Sequence, residues 1–137
     1  EPVLWGRRVL LLARVSIVRG DERYGNVARA LELIRGDIDP AQVKGKRVLV
    51  KPNLVSDSVE LAVTPVEAVK AVIDFASSLQ PSRVVVAEGS AGDTWRAFRN
   101  FGYTALVFTK GVELCTITLY RSLGTTHVTV NLTRQTR

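Results

Sequence analysis

One cysteine, one histidine and no methionine stand in a chain of 137 residues. A single cysteine, Cys115, can form no internal disulfide and no cysteine-rich metal cage. It lies in an apolar-alternating run, where a buried, inert thiol is expected. One His beside one Cys also argues against a zinc site built by this chain alone, so no metal residues are assigned. The scarcity of cysteine fits an intracellular, cytoplasmic setting. The absence of Met, with a start at Glu1, suggests a processed, trimmed or partial chain. Long apolar runs are missing too. None approaches the ~20 residues that cross a bilayer, so no membrane segment is expected. Arg7-Arg8-Val9-Leu10-Leu11-Leu12-Ala13 has the opening of a signal peptide. Arg14 cuts it short and no small-residue cleavage site follows, which favours an N-terminal strand.

Basic residues exceed acidic ones for a net charge of +6. The excess sits at the two ends. Residues 1–19 carry four Arg and one Glu, and residues 94–137 carry six basic groups and one acidic. The span between them, 20–93, is slightly acidic. Nucleic-acid binders cluster their cations on one face or helix with aromatics between. Basic ends with no such interleaving read as solvated termini, so nucleic acid is not the expected partner. Arg outnumbers Lys fourteen to five. That bias fits either genome composition or heat adaptation. Apolar residues make up 46% and charged ones 23%, the composition of an ordinary globular domain. The length suits a single domain spanning 1–137, with residues 116–137 the least regular.

The pattern along the chain alternates strand and helix. Residues 9–18 alternate with a period of two, as a first strand. Val27, Ala30, Leu31 and Ile34 recur at three and four, giving a helix over 24–34 that stops at Gly36. Val48-Leu49-Val50 is apolar on both faces, as in a central strand covered by helices on both sides, and Pro52 ends it. A long connection, 55–63, follows. Thr64-Pro65-Val66-Glu67 reads as a capping box opening a helix to about Leu79. Its inward face would be Val66, Val69, Val72, Ile73, Ala76 and Leu79. Arg83 to Glu88 is a second buried strand, turned by Gly89-Ser90-Ala91-Gly92. A short helix from Asp93 or Thr94 to Asn100 turns Trp95 and Phe98 inward, with Gly102 as a left-handed cap. Residues 112–120 and 128–132 alternate like half-exposed strands joined by 122–126. Strand–helix alternation implies an α/β fold. The sheet should be mainly parallel with right-handed crossovers and helices on both faces, a three-layer, Rossmann-like, doubly wound arrangement.

Several of these stretches resemble one family. Lys51-Pro52-Asn53-Leu54 closing a strand, the Thr64-Pro65 start of a helix, Val84 to Gly89, and Phe98 with Gly102-Tyr103 resemble the "domain of unknown function 362" family. The opening Val15 to Gly20 before an amphipathic helix fits its start. The resemblance covers roughly residues 13–115. It implies an α/β domain often fused to ferredoxin-type iron–sulfur modules, with no settled activity and no catalytic residues to carry over. It also implies that members continue into a segment with further Lys, His and Asn, which the tail after Cys115 does not match. This chain would then be an N-terminal part, and any iron–sulfur cluster would come from a separate module or partner protein.

Two loops carry candidate chemistry. Open α/β sheets bind ligands beyond the C-terminal ends of their strands. Lys51 there is a point charge for a phosphate or carboxylate, and Asn53 adds a donor and an acceptor, or only steadies the turn after Pro52. Glu88, Gly89, Ser90 and Gly92 form the second loop. The glycines allow close backbone approach and the next helix start offers N–H groups, unless Asp93 caps it. Neither a dinucleotide fingerprint nor a P-loop is present. Glu88 facing Lys51 across a crevice would serve as metal ligand, general base or lysine partner. Ser90 lacks the Gly-x-Ser-x-Gly elbow that a hydrolase with His127 would need. Asp57 and Glu60 are oxygen donors in a loop that reads as solvated. Trp95, Phe98 and Phe101 read as core.

The ligand-binding set is therefore Lys51, Asn53, Thr64, Glu88, Gly89, Ser90 and Gly92, with a small anionic or metal-bound ligand in a redox-associated enzyme. The alternative is a non-catalytic module docking on a partner subunit or on the missing half of the chain; a homo-oligomer is a separate expectation. Such a module would show an exposed apolar patch near the C-terminal strands.

Overall fold

Short β-branched runs between Gly, Pro and polar residues become strands in the computed structural model, which describes residues 13–89 and 93–133. They are β1 (Arg47–Val50), β2 (Arg83–Glu88), β3 (Glu113–Ser122) and β4 (Thr125–Thr133). The helices are α1 (Arg23–Leu33), α2 (Val66–Ser78), α3 (Thr94–Asn100) and α4 (Thr104–Lys110). The sheet runs β1-β2-β3-β4. The first two pairings are parallel and the last is antiparallel. The α/β class and the mainly parallel sheet are those the alternation implied.

Among the described residues, the helices that pack on the sheet lie on one face, where a doubly wound sheet has them on both. Val50, Val84, Val86 and Leu114 share one core with Val69 and Ile73 of α2, Phe98 of α3, and Leu106 and Val107 of α4. These strand residues alternate with ones pointing the other way, so α2, α3 and α4 cover a single face. Geometry requires it: right-handed crossovers between strands laid side by side in chain order bring every helix to the same side. Helix α1 packs on α2, outside that layer.

Consequently β1 is an edge strand among the described residues, not the central one. Leu49 is 65% exposed because it points away from the helices. An apolar triplet looks the same in sequence whether one face or both are covered. The expected first strand is corrected as well: residues 13–18 take no strand pairing, and Val15 and Ile17 are exposed. Residues 9–12 of that prediction lie outside the described range.

Helix α1 starts one residue early because Glu22 accepts from the Tyr24 N–H at 3.0 Å and from Gly25, capping it. Gly36 does not stop it; a 3-10 turn, Arg35–Asp37, follows the cap at Ile34. Helix α2 has Pro65 at its cap position and no side-chain cap, so Thr64-Pro65-Val66-Glu67 is not a capping box. Thr64 is one residue too early and its hydroxyl is used elsewhere. Glu67 still lies in the first turn, where the helix dipole favours a carboxylate. The inward residues are as expected, with Val69, Ile73, Ala76 and Leu79 buried, Val66 and Val72 packed beside them, and Ala71 added. Asp93 caps α3 by accepting from the Arg96 N–H at 2.9 Å. Gly102 follows with φ +77°, the left-handed conformation assigned to it. Helix α4 was not foreseen. The hairpin β3–β4 turns at Leu123 and Gly124, both left-handed at φ 49° and 80°, the primed turn that matches strand twist.

Candidate functional site

The pairing of β1 with β2 fixes where the candidate residues meet. Val50 stands opposite Val86, so the chain leaves both strands on the same rim. There the Lys51 ammonium donates to Glu88 Oε2 at 2.9 Å. The two meet in an ion pair, with no crevice between them. Of the three roles open to Glu88, lysine partner is the one the geometry displays. The pair is lopsided: the Glu88 side chain is 8% exposed, that of Lys51 68%. The second carboxylate oxygen, Oε1, accepts the Gly89 N–H at 2.9 Å. A buried carboxylate satisfied on both oxygens holds an ammonium whose side chain is mostly exposed.

Gly89 is a glycine for want of room. A Cβ there would press into the carbonyl oxygen of Ile117 on β3. The close approach read from its sequence position is therefore to a neighbouring strand's backbone. Ser90 and Gly92 lie outside the described residues.

Asn53 and Thr64 form a clasp at the base of the long connection. The Asn53 N–H donates to Thr64 Oγ1 at 2.9 Å, and the Thr64 N–H donates to the Asn53 carbonyl at 2.8 Å. Asn53 Nδ2 also reaches the Ala62 carbonyl at 3.2 Å. Leu54 and Val63 then pair as an isolated bridge, and both are buried. So the stretch 54–63 is a closed, anchored loop containing one 3-10 turn, Glu60–Ala62. These bonds join the two ends of the loop and do not close the turn after Pro52.

One residue belongs to this neighbourhood that the candidate set omitted. Tyr103 is fully buried, and its hydroxyl donates to the Thr64 carbonyl at 2.6 Å. Its ring packs on Phe98 with centroids 5.7 Å apart. Burial, with the nearby Glu67 and Glu88 charges, pushes its pKa well above the usual tyrosine value. The signal was available: Tyr103 follows Gly102, whose left-handed turn aims the next side chain back at the sheet.

Two hollows flank Thr64. One, of 360 Å³, runs between β1 and α2 and includes Lys51, Pro52 and Val72. The other, of 590 Å³, opens beside the start of α2, between the 54–63 loop and Gly102. Two of the three acidic residues lining it are engaged, Asp57 with Arg96 and Glu60 at 3.8 Å from Arg23, and the third is Glu67 of α2. No group of three or more His, Cys, Asp or Glu suited to a metal occurs among the described residues. Cys115 is buried, which raises its thiol pKa. His127 lies on β4 and its triad partner Ser90 is outside the described range. Phe98 is fully buried, with Trp95 and Phe101 packed against the same core. No described helix is long and apolar enough to cross a membrane.

The family model described as Domain of unknown function (DUF362) matches residues 48–135. The match runs through β4, so the tail after Cys115, which the sequence reading set outside the resemblance, lies within it. No curated protein matches the chain, and no solved structure does.

Proposed function

From a chain that belongs to the domain of unknown function 362 family, we propose a ligand-binding role for the rim formed by Lys51, Glu88 and Gly89. The ligand is a small anion, a carboxylate or a phosphate. The observation that carries this is the lopsided ion pair. A lysine tethered at 2.9 Å to a buried carboxylate, yet 68% exposed, is a positioned cation whose one partner among the described residues is Glu88. Asn53 and Thr64 hold the adjoining loop in place, and Ser90 and Gly92, next to Gly89 in the sequence, complete the proposed set. A metal-bound ligand is less well supported, because both oxygens of Glu88 already have partners. The redox association rests on the family resemblance alone, with the iron–sulfur cluster carried by another module or protein.

Calorimetry with inorganic phosphate and with acetate tests this through two variants of opposite sign. Lys51→Ala removes the cation and should abolish binding. Glu88→Gln removes the counter-charge and should tighten binding several-fold, because the ammonium then faces the anion alone. Equal affinities in all three proteins would remove the pair from the site.

A second reading, docking on another polypeptide, is favoured by the exposed apolar residues Val128, Val130 and Leu132 near the C-terminal end.

A further inference from the structure

We propose that β4 is the docking edge for a second copy of this chain. The two copies pair β4 to β4, antiparallel, about a two-fold axis normal to the sheet at Thr129. The four described strands of each would join into one sheet of eight.

The two edges of the sheet differ in kind. An edge strand offers unpaired N–H and C=O groups, and proteins protect such edges with short strands, charges and proline. The β1 edge has all three: four residues, with Lys46 and Arg47 at one end and Lys51 and Pro52 at the other. The β4 edge has none. It is nine residues long and reads Thr-Thr-His-Val-Thr-Val-Asn-Leu-Thr, without Asp, Glu, Lys, Arg or Pro.

Register shows which face β4 extends. Leu132 stands opposite Cys115 and Val130 opposite Ile117, while Cys115 stands opposite Ala87. These residues lie on the sheet face turned away from α2, α3 and α4. Val128, Val130 and Leu132 are 60%, 61% and 43% exposed there. The alternate residues, Thr129 and Asn131 among them, share the helix side.

Charge selects the occupant. Two copies of a chain at +6 repel each other, so a contact between them must not set like charges face to face, and β4 carries none to oppose. Pairing β1 with itself about Leu49 would set Arg47 of each copy against Lys51 of the other. Pairing β4 with itself opposes no charged side chain. An acidic partner would find no cation along this strand.

Symmetry selects the axis. A two-fold normal to the sheet keeps the apolar faces on one side, so Val128 meets Val130 of the second copy, Val130 meets its Val128, and Thr129 meets Thr129. A two-fold lying in the sheet would set valines against threonines and interrupt the apolar stripe. Cross-strand pairs of β-branched residues are favourable.

Sedimentation equilibrium on the full chain tests the proposal. The wild type should dimerise. Thr129→Lys and Thr129→Glu, each alone, should weaken dimerisation about ten-fold or more, because like charges then stand directly opposite. Mixed in equal amounts, the two variants should dimerise again. Restoration by mixing separates a lost interface from a lost fold, since Thr129 is exposed. A wild type that stays monomeric, a Thr129→Lys protein that dimerises like wild type, or a mixture that stays monomeric would each overturn it. So would a monomer whose outward β4 amides resist hydrogen exchange, which would assign the edge to residues 1–12 or 134–137 of the same chain.

Discussion

Gly89 shows how one missing methyl group holds the rim together. Its Cα lies so near the Ile117 carbonyl that any side chain must displace β3 from β2. Gly89→Ala should therefore destabilise the protein by about 1–3 kcal/mol, the usual cost of forcing atoms into filled space. Urea unfolding measures it. Gly36→Ala, where nothing lies within 4 Å, serves as the near-neutral control. Equal midpoints for the two variants would show that the close approach is not maintained in solution. The same residue shows where sequence reading stops. A glycine after a buried strand announces that something approaches, and only the fold shows that it is the next strand's own carbonyl. Lys51 and Glu88 were easier, because two parallel strands of matched register deliver their next residues to one rim. That Glu88 would be almost wholly enclosed while Lys51 stayed open was not written in either residue.

Among the helices, α1 is the one that adds nothing to the sheet core. It has no fully buried residue and rests on α2. Its firmest tie is the Tyr24 hydroxyl, which donates to Asp74 Oδ2 at 2.9 Å, while Lys110 of α4 reaches the same carboxylate at 2.7 Å. Tyr24→Phe should leave the sheet intact and speed hydrogen exchange in α1 several-fold relative to β2. Unchanged exchange in α1 would mean that apolar contact alone seats it. The elements best read from sequence were α1, α2, β1 and β2, where periodicity is long or flanked by Pro and Gly. Helix α4 was missed because its seven residues, Thr-Ala-Leu-Val-Phe-Thr-Lys, make barely two turns and include β-branched types of low helix propensity. The cap of α2 was misread because Thr64 satisfies Asn53 across the loop, a contact that no local window contains. Leu49 reads as a core residue by composition and is exposed only because every described helix lies on the other face.

For the whole molecule, alkaline pH should be a weakness. Burial, joined by Glu67 and Glu88, raises the Tyr103 pKa. The hydrogen bond to Asp74, with its charge, raises that of Tyr24. Unfolded tyrosines lose their protons near pH 10. Above that value the native state holds protons the unfolded state has released, so stability is full below about pH 10 and falls as pH rises beyond it. Denaturant unfolding between neutral pH and the alkaline range would show this. Tyr103→Phe should cost about 1 kcal/mol at neutral pH through the lost bond to Thr64, yet flatten the alkaline decline. A wild-type curve that stays level above pH 10 would contradict the buried, protonated phenol.

The order of the strands has one more consequence, for a chain emerging from the ribosome. Because β1, β2, β3 and β4 lie across the sheet as they lie along the polypeptide, each arriving strand meets a border already built. None has to be slotted between two earlier ones, so assembly can keep pace with synthesis from the N-terminal side. Among the described strands, the border still open after β4 is the last one made.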